Sequence, residues 1–204
     1  MVGWRDEIMI ELYSRKIAAY FSQIGVITPD KIDIYRFFFE TFFYKLITYS
    51  ISLLIFIALD KLLAGIVFLV VFMGMRSITG GYHTNKAINC LILSPAIIGI
   101  NGVVIKYFPI SILWIIGLGY ALAIAAIIKW APLSNENNVL TDYEIKQSKK
   151  KYSICISLTT MLMFIFWKAS TDIYVALGMA YISDAMLLFL GVLVQKRRCE
   201  KCRD

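Results

Sequence analysis

His83 is the single histidine of this 204-residue chain, and it stands seven residues before Cys90. A thiolate beside an imidazole is the equipment for acyl transfer: sulfur attacks a carbonyl while the imidazole takes up and returns a proton. The pairing points to thiol-protease chemistry. It lies in Arg76-Ser-Ile-Thr-Gly80-Gly81-Tyr-His83, between apolar runs, and the adjacent glycines Gly80 and Gly81 break any helix that would cross the segment. The pair is therefore expected on a loop between two spanning helices. Were residues 83–90 one helix, the two side chains would share a face but stand about 10.5 Å apart along the axis, too far for proton transfer. The His83 segment must fold back over the start of the next helix, which Thr84 or Asn85 would cap. Near that N-terminus the helix dipole, Lys86 and a protonated His83 each favour a thiolate at Cys90. Taken alone, His-x6-Cys also fits an interfacial histidine beside an ordinary small apolar cysteine.

The elements that must position this pair are membrane helices. Hydrophobic residues make up 59% of the chain and the mean hydropathy is +0.71, well above the roughly 45 to 50% apolar share of soluble domains. About 20 apolar residues span a bilayer as helix, and such runs occur near 42–59, 62–75, 88–105, 110–129, 153–167 and 173–194. The expected fold is an all-α integral membrane protein with about six transmembrane helices, the second and fifth short enough to be tilted partners, extended by flanking polar residues, or incompletely inserted. Ahead of them Ile10, Tyr13, Ile17, Tyr20, Phe21 and Ile24 recur at helical spacing, predicting an amphipathic helix on the inner membrane surface. Thr28-Pro29-Asp30 supplies an N-cap, a proline for the first turn and an early acid, so a second helix should start there and run into the first span. Thr141 and Glu144 have the spacing of a capping box opening a lysine-rich helix. One polytopic domain over 1–204 results, with an interfacial helix at 1–27, a helical membrane core at 29–194 and a basic tail at 195–204.

The charge of +7 is first a topology signal. Most of the 21 Lys and Arg residues flank the spans on the side of the termini and of the His83 loop, while Lys61, Lys106 and Lys168 fall on the opposite side. Both termini and the active site are thus expected at the cytoplasmic face. The first forty residues carry Arg5, Asp6, Glu7, Glu11, Arg15 and Lys16, without the apolar core or cleavage pattern of a signal peptide. Nucleic-acid binding does not follow from positive charges divided among segments around membrane spans. Cys155 lies in an apolar span, and Cys199 and Cys202 form half of a typical zinc set in the basic tail, so no metal and no cofactor is expected. Asp184 falls inside the last span, where an acid costs about 2.5 to 3.5 kcal/mol on insertion scales and calls for a buried partner or a protonated state.

With Arg76, Gly80, Gly81, His83 and Cys90 at the edge of the third span, the chain resembles the accessory gene regulator B (AgrB) family of membrane cysteine endopeptidases. The resemblance extends to the amphipathic start, the six spans and Trp130-Ala131-Pro132 before a basic loop. It implies cleavage of the acidic C-terminal tail from a short amphipathic pheromone precursor of quorum sensing. By the same resemblance Cys90 forms an acyl-enzyme thioester, His83 handles the proton, and an internal nucleophile closes a thiolactone or lactone. Glu40 matches a position that is commonly Gln or Glu in the family, and it could orient His83 or meet a polar substrate group. Pairing with Lys45 or Arg36 is its plainer role. Phe38 stands where the family often has glycine, and Asn137 to Leu140 depart from the family's basic loop. Arg76 suits a substrate carboxylate or carbonyl, or serves as a positive anchor. Membrane lipids and a second copy of the chain are the other candidate partners. A six-helix transporter and a noncatalytic membrane scaffold are the competing readings.

Overall fold

A computed structural model describes the backbone of residues 3–80, 87–133 and 141–201, and the side chains of 9–80, 93–133 and 141–196. Seven α-helices occur among the described residues, and no named strand. They are α1 (Gly3–Gln23), α2 (Ile32–Ala58), α3 (Leu62–Thr79), α4 (Ala87–Tyr107), α5 (Leu113–Trp130), α6 (Asp142–Ala169) and α7 (Thr171–Lys201). Among the described residues five stretches are long and apolar enough to cross a membrane: Pro29–Ala58, Leu62–Thr79, Ile110–Trp130, Asp142–Ala169 and Thr171–Lys196. Leu93–Tyr107 of α4 is a shorter apolar helix at the place of the third expected span. The chain is a multi-pass membrane protein by these helices.

Of the readings open for the short fifth run, extension by its flanking polar residues holds. The lysine-rich helix and the apolar run are one continuous helix, the 28-residue α6. Its start is the capping box read from the sequence: Thr141 Oγ1 accepts from the Glu144 amide, and the Thr141 amide donates to Glu144 Oε2 at 2.8 Å. Thr28 holds an N-cap position without a side-chain hydrogen bond, and Pro29–Lys31 forms a single 3-10 turn before α2.

The contacts divide the chain into two compact units. The first comprises Met1–Leu54 with Thr84–Ala96. Here α1 turns Ile10, Ile17 and Phe21 inward, and the Phe21 ring stacks on Phe39 of α2 at 5.7 Å. Tyr13, Tyr20 and Ile24, from the same apolar stripe, remain exposed. Gly25 ends the helix with φ +75, and the Val26 amide closes on Phe21 O at 3.0 Å, the left-handed termination that glycine adopts without strain.

The second unit comprises Ile55–His83 with Ile97–Asp204, and α7 is its hub, packed by α3, α5 and α6. Tyr174, Val175, Ala176 and Leu177 are buried in succession, so α7 is covered on every side at this level. Small residues let its neighbours approach: a side chain at Gly178 would collide with Ile116, and one at Gly117 would come within 2.9 Å of the Tyr174 hydroxyl. Polar links then tie the helices. Ser183 donates to Asn101 at 3.0 Å, Tyr181 donates to Thr159 at 3.1 Å, and the Tyr120 and Thr160 hydroxyls bond at 2.8 Å. Each such bond contributes on the order of 0.6 kcal/mol between membrane helices. Lys61, before α3, reaches Asp172 at the start of α7 with an ion pair of 2.6 Å, which places the beginnings of these two helices together.

Candidate functional site

The segment that leads toward His83 is anchored at the far end of α3. The helix exits at Gly80 with φ +72 and ψ −143, a backbone state that side-chain-bearing residues avoid. A Cβ there would also meet the Leu133 carbonyl oxygen at 2.9 Å. Glycine is thus required twice, by dihedral and by space. Arg76 lies one turn back and half-buried, and its Nη1 donates to Gly80 O at 2.8 Å. The guanidinium thereby satisfies the carbonyl of the residue that caps the end of α3.

On the other flank the chain after α5 meets this exit. Ala131 follows α5, the Ala131–Pro132 bond is cis, and the Leu133 amide donates to Thr79 O at 3.0 Å, forming an isolated parallel bridge between Gly80 and Leu133. Pro132 contributes no amide hydrogen; the bond that the bridge needs comes from the next residue. The Trp130-Ala131-Pro132 motif therefore has a local structural task beside the end of α3.

Beneath the bridge, Thr79 joins α3 to the buried acid of α7. Thr79 and Asp184 are both fully buried, and Thr79 Oγ1 lies 3.0 and 3.2 Å from the two carboxylate oxygens. The same hydroxyl is 3.0 Å from Met75 O. Thr79 is the partner that sequence reasoning did not assign. Its signal was depth, because a mid-span acid needs a donor and α3 closes with the hydroxyl residues Ser77 and Thr79.

The remaining candidates are placed as follows. Gly81, His83 and Lys86 lie outside the described residues. Cys90 falls in the first turn of the described range of α4, and its side chain lies outside the described residues. Glu40 is half-buried on α2, while Arg36 of the same helix pairs with Asp33 at 3.6 Å. Arg76 and Gly80 are brought together in the second unit; Glu40 and the Cys90 backbone belong to the first. Cys155 is a free, half-buried thiol of α6 packed against the core. Among the described residues no group of three or more His, Cys, Asp or Glu side chains could hold a metal.

Gly80→Ala is expected to cost roughly 1 to 3 kcal/mol for the positive-φ extended backbone alone, with a further penalty from Leu133 O. The thermal midpoint of the detergent-solubilised protein should fall, and a variant as stable as the parent would show that the bridge yields without strain.

The chain matches the family model described as AgrB, accessory gene regulator B, over residues 14–195. No curated protein and no solved structure matches it.

Proposed function

This chain belongs to the accessory gene regulator B family, whose members process quorum-sensing peptides, and on that premise we propose that it is a membrane cysteine endopeptidase that matures a pheromone propeptide. The observation that carries the reading is that the family match spans both His83 and Cys90.

The proposed reaction has two acyl transfers. The Cys90 thiolate adds to the scissile carbonyl, and collapse breaks the peptide C–N bond as His83 gives its proton to the leaving amine of the acidic tail. The N-terminal product remains as a thioester on Cys90. A thiol or hydroxyl within that product then attacks the same carbonyl, His83 accepts its proton, and the Cys90 thiolate leaves as the ring closes. A thiolactone forms from a thiol and a lactone from a hydroxyl. Water must be kept from the thioester, since hydrolysis would discard the activation that the ring retains.

The supporting residues follow from this scheme. Arg76 and Gly80 fix the chain ahead of His83, and Gly81 lets it turn. Lys86 favours the thiolate, and Glu40 orients the imidazole or a polar substrate group. Exposed Lys146, Lys149, Lys150 and Lys151 on α6 suit an acidic tail or anionic lipid. We assign the work to one polytopic domain with its active site at the cytoplasmic face. The transporter reading drew on ionisable residues among the spans, but Asp184 is bound by Thr79 and Lys45 is exposed.

A precursor lacking its ring-closing nucleophile tests the scheme in oriented vesicles. Added to the cytoplasmic side, it should accumulate as an enzyme adduct released by hydroxylamine. Added to the outer side, it should leave no adduct. Tail release with no thioester at any time would overturn the acyl-enzyme, and labelling from the outer side would overturn the orientation.

A further inference from the structure

We infer that Asp184 is a positioning residue for the proposed reaction, acting through Thr79 to fix the end of α3 from which the His83 segment departs. The inference rests on the endopeptidase reading, and its geometric half stands apart from it.

An acid inside a membrane span is disfavoured by about 2.5 to 3.5 kcal/mol, yet Asp184 lies fully buried on the hub helix α7, where an apolar residue would pack at no such cost. Its partners show what the acid does there. Thr79 is the last residue of α3, four residues before His83, and its hydroxyl faces both oxygens of Asp184. The carbonyl of that same Thr79 accepts from the Leu133 amide, and the next carbonyl, Gly80 O, accepts from Arg76. Side chain and backbone at the helix exit are therefore held from three directions: α7 below, the chain after α5 beside, and Arg76 from the preceding turn.

Such bracing is what a reacting histidine needs from its scaffold. A hydroxyl has one hydrogen, so Thr79 without Asp184 would fall back on carbonyls of its own segment, Met75 O at 3.0 Å and Gly80 O at 3.5 Å, bonds that fix nothing relative to α7. The end of α3 would then keep Leu133, Arg76 and its packing on α7, without this polar link between the two helices. A displacement of about 1 Å at a catalytic group costs on the order of 10²-fold in rate, and His83 stands close enough along the chain to inherit such a displacement.

The test uses the full-length protein in nanodiscs, with Cys155→Ala, Cys199→Ser and Cys202→Ser leaving Cys90 as the single thiol. Asp184→Ala, and Thr79→Val as the variant that keeps volume and removes only the hydroxyl, should each lower kcat by on the order of 10²-fold with KM little changed. Iodoacetamide alkylation of Cys90 should shift to higher pH in both, because a displaced His83 no longer favours the thiolate. Thr79→Ser and Asp184→Asn, which keep a hydroxyl and an oxygen acceptor, should restore turnover. Amide exchange at Gly80 and Leu133 should accelerate in the Ala and Val variants. Folded Thr79→Val with the parent's kcat and alkylation profile would overturn the inference. So would loss of turnover without change in alkylation or exchange, which marks a role elsewhere. If Cys90→Ala turns over normally, the endopeptidase reading fails by itself, and the exchange of Gly80 and Leu133 still reports whether Asp184 holds the end of α3.

Discussion

Cys90→Ala is expected to reduce precursor cleavage to background, a loss on the order of 10⁶ in kcat, the scale seen when a covalent nucleophile is removed. The size follows from the two-step scheme, in which the sulfur is attacking group, acyl carrier and leaving group in turn. Removing it deletes the pathway, whereas a positioning residue only misaligns it. Cys90→Ser is the more searching variant. It retains size and polarity at the start of α4 but presents a poorly ionised hydroxyl, and an imidazole placed for a thiolate does not activate it well. Cys90→Ser should insert, fold and bind precursor, yet form no hydroxylamine-sensitive adduct. Gel analysis of tail release, with insertion checked by fluorescence of a C-terminal tag, separates failure of chemistry from failure of folding. Normal turnover by inserted Cys90→Ala would remove the endopeptidase reading and leave the transporter and scaffold readings in front.

What could be read from the sequence, and what could not, divides by the range of the interaction. Helix starts and stops are local: the Thr141 to Glu144 capping box and the proline at 29 were legible because each signal and its effect lie within one turn. The length of α6 is open in the sequence, extension by flanking polar residues being one of three readings. Lysines 149 to 151 look like an end to an apolar run, but long flexible side chains at a membrane edge let the helix continue through them. Gly80 was legible as a breaker, and its left-handed φ bears that out, whereas the second constraint on it, the Leu133 carbonyl, comes from a segment more than fifty residues away. Asp184 announced that it needed a partner. Choosing Thr79 over Ser or Asn elsewhere required knowing that α3 packs on α7, a tertiary fact with no signature in either helix alone. The hub role of α7 is similar, since its apolar run resembles the others and only the burial of Tyr174 to Leu177 on successive faces sets it apart.

His83→Ala is the second prediction of large effect, and its magnitude differs from that of Cys90→Ala for a physical reason. General acid-base catalysis contributes about 10² to 10⁴ in rate, equivalent to roughly 3 to 5 kcal/mol of barrier. The nucleophile survives in this variant, so the reaction is slowed and not deleted. Both half-reactions should suffer: cleavage, because the tail's amine leaves poorly without a proton, and ring closure, because the internal thiol or hydroxyl attacks poorly without a base. The trapped thioester should therefore form slowly from a precursor that lacks the ring-closing group. With the native precursor it should also persist longer once formed than in the parent protein. Raising the pH should recover part of the first step, since hydroxide can generate the thiolate that His83 no longer favours, and should do less for protonation of the leaving amine. Single-turnover measurements of thioester formation and decay across pH distinguish these steps. If His83→Ala forms and discharges the thioester within about threefold of the parent rate, far short of the 10² lower bound for acid-base catalysis, the imidazole is not the proton carrier. Cys90 would then need another base from within the first unit, with Glu40 the first to examine.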